Sequence, residues 1–277
     1  QTMLKNIGSI ENQGYELSIE SDNLTGPFSW TTAFNISFNR NKVLELGGED
    51  YKEMAEGDGH IKTGSVRRLI AGEPIGVFYG YRFDGIFQNE EECKQQTSSA
   101  SPIGVGLRRY KDLNGDGKVD AANDREILGD ANPKFFGGLT NTFAYKGFEL
   151  NVFLQYSYGN KILNYNAMEL ENPTGGQNAY ADMVNRWTPE NPSNIYPKAT
   201  TNRAILASDR FIEDGSYLKL KTLSLSYSFP KINMKHIQGL RLYVTGQNLL
   251  TWTKYRGYDP EVSYRGASTL EAGEDFG

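Results

Sequence analysis

The feature that most limits the possible folds is a regular alternation of apolar and small polar residues, which returns several times along the chain. Since neighbouring side chains of an extended strand point to opposite faces, this alternation predicts strands with one apolar and one polar face. The first pair is predicted in "QGYELSIES" and "FSWTTAFNISFNRN", separated by "DNLTGP". In the second of these segments the apolar face holds Trp30, Phe34, Ile36 and Phe38, and the opposite face holds Thr31, Ala33, Asn35 and Ser37. We therefore predict a β-hairpin here.

Two further hairpins repeat this design. The second turns at Lys146-Gly147, after "LTNTFAY" and before "FELNVFLQYSYG". The third joins "SYLKLKTLSLSYSFP" to "LRLYVTGQNLLTWT" through the polar turn "KINMKHIQG". The predicted apolar faces hold Leu150, Val152, Leu154 and Tyr156 in the second hairpin and Leu223, Leu225, Tyr227 and Phe229 in the third; the polar faces hold Asn151, Gln155 and Ser157, and Ser224, Ser226 and Ser228. The expected fold class is all-β, with consecutive strands in an antiparallel meander.

The strand lengths and compositions indicate a membrane protein. Segments of about 10 residues that carry aromatic residues near their ends, with Ser, Thr, Asn and Gln opposite, are typical of a transmembrane β-barrel with a wet lumen. The short turns are then periplasmic, and the intervals Leu46–Gly76, Asn89–Asn132 and Asn160–Asp209 are long extracellular loops, the last with a short helix near "NAYADMVNRW". A soluble β-sandwich shows the same alternation, so single strands leave open whether the apolar face meets lipid or a second sheet.

Composition excludes several classes of function. The formal charge of -5, from 29 basic and 34 acidic residues, gives no basic excess, so nucleic acid is not an expected partner. The single cysteine, Cys93, excludes an intrachain disulfide, and His60 and His236 have no Cys or His neighbour at metal-ligand spacing. No segment approaches the ~20 consecutive apolar residues of a membrane-spanning helix. The first residues also lack a signal-peptide pattern, so we expect either a cytoplasmic protein or a piece of a longer chain.

The segment "KDLNGDGKVD" places side-chain oxygens at alternate positions and follows them with Gly117. This matches the first half of a calcium loop, and the predicted ligands are Asp112, Asn114, Asp116, the Lys118 carbonyl, Asp120 and Asp124. The second half departs from an EF-hand, because loop position twelve is Asn123 and the flanking segments lack helical periodicity. The alternative is a cluster of Asx-turns, since Asp, Asn and Gly dominate turns for local hydrogen-bonding reasons. We expect a structural Ca²⁺ ion, with the metal-free turn left open.

An enzyme is not expected. Catalysis by carboxylates requires an acid and a base at a defined spacing, and Glu169, Glu171 and Glu190 in the predicted loops show no such pairing.

Long segments of the chain resemble the C-terminal barrel of SusC/RagA-type TonB-dependent transporters. They are "NIGSIENQGYELSIE", "DLNGDGKVDAANDREILGDANPKFFGGLTNTFAYKGFELNVFLQY", "FIEDGSYLKLKTLSLSYSFP" and "LRLYVTGQNLLTWTKYRGYDPEV". The resemblance covers nearly the whole chain. It implies an outer-membrane importer of oligosaccharides or peptides from Bacteroidota, which is capped by a SusD-like surface lipoprotein, energised by TonB and surrounded by membrane lipid.

Members of this family are several times longer than this chain. On this basis we expect residues 1–277 to be a barrel fragment of eight to ten strands, with the signal peptide, the TonB box, the plug and the final strand lying outside it. A secreted, calcium-stabilised adhesin or glycan-binding β-domain is the alternative function.

Overall fold

The computed structural model describes residues 8–54, 65–172, 178–201, 205–229, 239–263 and 272–275. The strands are β1 (Ser9–Leu24), β2 (Phe28–Glu45), β3 (Tyr51–Glu53), β4 (Arg68–Ile70), β5 (Val77–Tyr81), β6 (Phe83–Ile86), β7 (Thr97–Ser98), β8 (Arg108–Tyr110), β9 (Lys118–Val119), β10 (Arg125–Asp130), β11 (Phe135–Tyr145), β12 (Phe148–Tyr158), β13 (Lys161–Asn164), β14 (Ile212–Asp214), β15 (Tyr217–Phe229), β16 (Leu240–Thr253) and β17 (Glu274–Asp275). The α-helices are α1 (Glu90–Lys94) and α2 (Tyr165–Leu170), and 3-10 helices cover Ala181–Asn185 and Asp209–Phe211. In this part of the chain no helix has the length and hydrophobicity needed to cross a bilayer.

The six long strands form one antiparallel sheet in the order β1-β2-β11-β12-β15-β16. The predicted hairpins are therefore confirmed, and each long strand pairs with the long strand that follows it along the chain. The first pair extends beyond its predicted limits, and the third turn falls mainly on residues 230–238, outside the described ranges. The expectation of eight to ten barrel strands is wrong for the described residues, because the short strands between β2 and β11 join a separate lobe.

The Lys146-Gly147 turn is the tightest of the connections. Both residues have positive φ, 46° at Lys146 and 87° at Gly147. Two consecutive positive φ values are the requirement of a type I′ turn, whose twist matches that of the flanking strands. The register runs without a shift from Tyr145–Phe148 to Phe135–Tyr158.

The register keeps the apolar residues of neighbouring strands on one face, which we name the outer face. Leu154 lies between Leu139 and Leu220, and Leu150 lies between Phe143 and Leu225. The opposite, inner face places Asn151 between Thr142 and Ser224. These faces match the predicted partition. Polar residues interrupt the outer face near one end: Asn141 accepts hydrogen bonds from Trp30 Nε1 and Thr32 Oγ1, both at 2.8 Å.

Aromatic residues form two rows on the outer face. Near the short turns the row includes Phe28, Phe143 and Phe148, which contact other rings of the same row. Near the other end Phe135 packs against Tyr156 and Tyr158. Ten residues separate Phe148 from Tyr158 along β12, or about 34 Å of strand and about 26 Å after a tilt of about 40°. This height matches the apolar band of about 25 Å in outer-membrane barrels.

A bulge changes the phase of β15 at Lys221. Phe153 pairs with Thr222 and the next residue, Leu154, pairs with Leu220, so Lys221 has no partner in the register. On the other side β16 accommodates the same shift between its contacts at Gln247 and Leu250. In a regular strand Lys219 and Ser224 would lie on opposite faces, because they are an odd number of positions apart. The extra residue brings both to the inner face.

The intervals predicted as extracellular loops form a packed lobe at one end of the sheet. Its main core is fully or almost fully buried and comes from both long connections: Val66, Phe78, Leu128, Leu163, Tyr165, Ala167, Met168, Ile205, Ala207 and Phe211. The predicted loop helix is present only as a short 3-10 helix, and α1 and α2 were not predicted, since helices of five and six residues are too short to show periodicity.

The two faces give a direct test of the membrane placement. Leu223 lies on the outer face about halfway between the aromatic rows, so Leu223→Arg in the full-length protein should destabilise the inserted barrel by about 2 to 4 kcal/mol. Ser224→Arg, one residue away on the inner face, should be tolerated. The measurement is the fraction of protein in the heat-modifiable, folded form on gels. Equal losses for the two variants would contradict the assignment of one face to lipid and the other to a lumen, and would favour a sandwich.

Candidate functional site

The inner face of the sheet is lined by amides and hydroxyls that bond across the strands. Asn151 Nδ2 donates to Thr142 Oγ1 at 3.0 Å, and the Ser224 and Thr245 hydroxyls are 2.8 Å apart. Aromatic rings interrupt this polar surface: Phe153 lies over Gly138, where an added Cβ would be 2.8 Å from the ring. Phe136, Tyr217 and Tyr243 share the inner face, as register partners of Ser157 and Ser226. Amides and hydroxyls can exchange these partners for those of a polar ligand, and a ring can stack on its apolar portions.

A segment after β16 folds back onto this inner face. We name residues Tyr255–Val262 the strap. Lys219 Nζ donates to both carboxylate oxygens of Asp259, at 2.6 and 2.8 Å, and to Glu261 at 2.5 Å. The Lys219 side chain is only 1% exposed, so these two carboxylates compensate a buried charge. The strap is thereby fixed to the upper part of β15.

Neighbouring side chains complete this attachment. Glu261 also accepts from Lys221 Nζ at 2.8 Å, from Gln155 Nε2 at 3.0 Å and from the Tyr217 hydroxyl at 3.1 Å. Burial raises the pKa of Glu261, but hydrogen bonds and charge attraction from the two lysines outweigh it and lower the pKa to about 2. Glu261 is therefore ionised throughout the physiological range.

Sequence reasoning did not find this attachment. A signal was present, because "YLKLK" places two lysines in a predicted membrane strand, where charges need partners. The acidic pair in "YDPEV" is the partner, but the strand alternation gives no information about which loop returns to β15.

The carboxylates considered for catalysis either form ion pairs with arginines or lie exposed in a separate turn. Glu171 is 1% exposed, and its two oxygens accept from Arg210 and Arg256, each at 2.8 Å. Arg256 also bonds Glu213. Glu190 is exposed in a turn between Thr188 and Asn191. Glu171 thus joins Arg256 of the strap to Arg210 of the lobe.

The structure brings the predicted calcium ligands into one loop, but it directs their oxygens at N–H groups. Asp112 accepts from the backbone N–H groups of Gly115 and Gly117, both at 2.7 Å. Asp116 accepts from the Lys118 N–H at 2.8 Å and from the Asn114 amide at 2.9 Å. These are Asx-turn contacts.

The second half of the loop is closed by Asp124, which is fully buried. One of its oxygens accepts from the Leu113 N–H at 2.8 Å and the other from the Asp120 N–H at 2.7 Å. Asp120 itself accepts from Ala122 and Asn123 and pairs with Lys118 Nζ at 3.0 Å. The donor set suits calcium chemically, yet among the described residues no three acidic, histidine or cysteine side chains gather around one point.

Comparisons with known proteins agree with the geometry. No family model matches the chain. The chain is 39% identical over its full length to TonB-dependent receptor P3 of Formosa agariphila and 35% identical over 97% of its length to receptor P26 of the same organism. It is 28% identical over 94% of its length to TonB-dependent receptor SusC of Bacteroides thetaiotaomicron. The chain spans 28%, 27% and 25% of these three relatives.

A solved structure described as the RagAB peptide transporter has the same fold. It superposes on 93% of this chain with a TM-score of 0.74 and 25% identity, and the matched part is 27% of that protein. A second structure, of the RagAB peptide importer in its closed-closed state, shows the same fold over 98% of the chain with a TM-score of 0.74. The predicted resemblance is therefore confirmed, and so is the fold class: the six-stranded sheet with its lobe is a portion of a TonB-dependent receptor barrel of the SusC/RagA type.

Proposed function

We propose that this chain is part of the wall and of the extracellular lobe of an outer-membrane importer for oligosaccharides or peptides. The full-length receptor works with a SusD-like surface lipoprotein and is energised through TonB. The single observation that carries the proposal is the two-faced sheet, which presents an apolar face with two aromatic rows to lipid and an amide- and hydroxyl-rich face to a lumen.

The inner face is chemically suited to either cargo. Oligosaccharides and peptides both present many hydrogen-bonding groups beside small apolar surfaces, which amides, hydroxyls and a ring such as Phe153 can contact. The similarity to relatives named as receptors and as a peptide transporter supports import over catalysis. The polar character of the lumen does not favour one of the two cargo classes.

The alternative is a secreted adhesin or glycan-binding domain. In that case the outer face would pack against a second sheet, and function would need neither a membrane nor an energy source. The outer face of the described sheet carries no second layer: Leu225 is 44% exposed and Leu218 is 39% exposed. A soluble domain of this size would bury such a row.

Energy-dependent uptake tests the proposal. Cells that lack the full-length receptor and cells that lack TonB should both lose accumulation of the same labelled oligosaccharides or peptides, whereas surface binding should persist in the cells without TonB. Re-expression of the receptor restores uptake. Uptake that continues unchanged without TonB would contradict active import by this receptor.

The strap provides a second prediction. Glu261→Gln keeps the shape of the side chain but removes the charge that compensates Lys219 and Lys221, so the strap should exchange amide hydrogens faster by at least about tenfold. Asp182→Asn, a carboxylate in the lobe that bonds the Tyr196 hydroxyl at 3.2 Å, is the matched control and should leave the strap unchanged. Hydrogen exchange of the full-length receptor measures both.

The pH dependence of the strap follows from the lowered pKa of Glu261. A carboxylate with a depressed folded pKa contributes stability that is fully present above its ordinary value of 4.5 and is lost as pH falls towards about 2. Strap protection, corrected for intrinsic exchange, should therefore be the same at neutral pH and at mildly acidic pH. A marked loss of protection between pH 7 and 5 would show that Glu261 does not hold the strap.

We also propose that the Asp112–Asp124 loop binds a structural Ca²⁺ ion in the extracellular medium. Its support is the donor set: four carboxylates, one side-chain amide and the Lys118 carbonyl within thirteen residues. Binding requires Asp112 and Asp116 to turn from backbone N–H groups towards the ion, which their partly exposed position allows. Asp120 and the buried Asp124, which also accept from N–H groups, would have to reorient with them. The ion would offset the repulsion among these carboxylates and brace the loop.

Asp116→Ala tests the calcium proposal. In the full-length receptor this variant should increase protease cleavage between Asn114 and Asp124 in calcium-containing buffer, as chelation should in the wild type. Glu190→Ala, an exposed acid in a different turn, should have no effect on this cleavage. If calcium changes neither the cleavage nor the heat measured by titration calorimetry, the loop is a metal-free Asx cluster.

A further inference from the structure

The outer face ends, at the side of the lobe, in two adjoining clefts of about 300 and 530 Å³. They share Tyr158, Asp214 and Ser216 and lie where β11, β12, β15 and β16 meet the lobe. Aromatic rings form the lower wall, on the membrane side: Phe135, Tyr156, Tyr158 and Trp252. Lysines also line the two clefts: Lys254 lines the larger one, and Lys134 and Lys161 line the smaller one. We name this feature the rim cleft.

Two glycines make room for the lysine stems. An added Cβ at Gly159 would come within 2.7 Å of Lys134 Cγ, and one at Gly129 would come within 2.9 Å of Lys161 Cγ. Both glycines also have positive φ, 92° and 139°, which disfavours any side chain there. The backbone of the lobe is therefore shaped around these two lysines and holds them at the rim.

The positive charge of the cleft is only partly offset by acids: Asp214 lies opposite Lys161 in the register and interacts electrostatically with Lys161 and Lys254. Within the described ranges, Lys134, Lys161 and Lys254 form no salt bridge, and Arg40 adds a further charge by donating to the Lys134 carbonyl at 3.2 Å. Asp130 and Asp214 line the clefts, so the three lysines outnumber the carboxylates by one, and both acids also accept from local N–H or O–H groups. Asp130 accepts from the Asn132 N–H at 2.8 Å, and Asp214 accepts from the Ser216 N–H and hydroxyl at 3.1 and 2.6 Å.

The position of the cleft relative to the bilayer indicates which class of ligand it binds. The rest of a barrel continues beyond β1 and β16 and encloses the lumen, so the outer face of β11, β12 and β15 remains against the bilayer. The aromatic row marks the level of the lipid headgroups. A cluster of lysines immediately above that level attracts negatively charged headgroups, while the rings contact the start of the acyl chains.

We propose that the rim cleft is a binding site for a phosphate-bearing lipid of the outer leaflet. The lysines contact the phosphate, and the rings of Tyr156, Tyr158 and Trp252 contact the apolar part of the same molecule. The rings of Phe135, Tyr156, Tyr158 and Trp252 lie on the lipid side of the wall, whereas Ser157 and Tyr217, which also line the cleft, belong to the inner face. This inference rests on the proposed membrane location but not on the proposed transport.

The test uses the full-length receptor in nanodiscs of phosphatidylcholine doped with bisphosphorylated lipid A, and native mass spectrometry counts the lipid that is retained. The variant Lys134→Gln, Lys161→Gln, Lys254→Gln should weaken retention by roughly fivefold for each lysine, or about 100-fold in total. Lys146→Asn removes one lysine at the opposite end of the same hairpin, where Asn tolerates the positive φ, and should retain lipid like the wild type.

Two further experiments distinguish binding of a lipid phosphate from binding of free phosphate. Dephosphorylated lipid A should be retained as poorly by the wild type as by the triple variant, and inorganic phosphate should not compete at millimolar concentration. Equal retention by the wild type and the triple variant would overturn the proposal, and so would full competition by phosphate, which would indicate a free-anion site. Heat-modifiable migration and cargo uptake are measured on the same variants, so a failure to insert or to transport is distinguished from a loss of lipid binding.

Discussion

The need to pair every backbone N–H and C=O group within the hydrocarbon layer governs this structure. In lipid an unpaired peptide group costs several kcal/mol, so strands can cross only when both of their edges are bonded. The four central strands meet this condition, since β2, β11, β12 and β15 each pair on two sides. The edge strands β1 and β16 each pair on one side within the described residues, and further strands of a closed barrel would complete them. The small share of the relatives' length that the chain spans agrees with this requirement.

The same constraint explains why so much of the sheet could be predicted from the sequence. A one-residue slip would move every apolar side chain to the wrong face, so the alternation of Leu150, Val152 and Leu154 fixes both the strand and its register. The Lys146-Gly147 turn was predictable for a similarly local reason, because few residue pairs accept two positive φ values. The lobe was not predictable in this way. Its core joins Phe78 to Phe211 across more than a hundred residues, and irregular segments leave no periodic signal for such contacts.

The bulge at Lys221 shows how a local irregularity connects the sheet to the lobe. The alternation that begins at Leu223 is correct for the lower part of β15. If it continued without interruption it would place Lys219 on the outer face, and only the unpaired Lys221 brings Lys219 to the inner face. The extra residue turns Lys219 inwards, where it is buried and needs a negative partner. The strap supplies that partner from beyond β16. The bulge therefore explains both the break in the strand alternation and the ion pairs between Lys219 and the strap. The Asp112–Asp124 loop differs, because its sequence pattern fits both a calcium site and a set of Asx-turns, and only the structure shows that Asp112 and Asp124 accept from backbone N–H groups.

The lysines on the two faces of the wall have different surroundings. On the inner face the lysines of β15 are paired at short distance with strap carboxylates, which fixes a segment of protein and leaves little net charge for a ligand. At the outer rim the lysines line clefts that also hold a row of rings, and Asp130 and Asp214 offset only part of their charge. An unpaired lysine contributes little to the stability of the fold, since a surface ion pair itself is worth only about 0 to 1 kcal/mol. Gly129 and Gly159, where a Cβ would collide with a lysine stem, keep Lys161 and Lys134 at the rim, and the positive charge that remains there is what the proposed contact with a lipid phosphate requires.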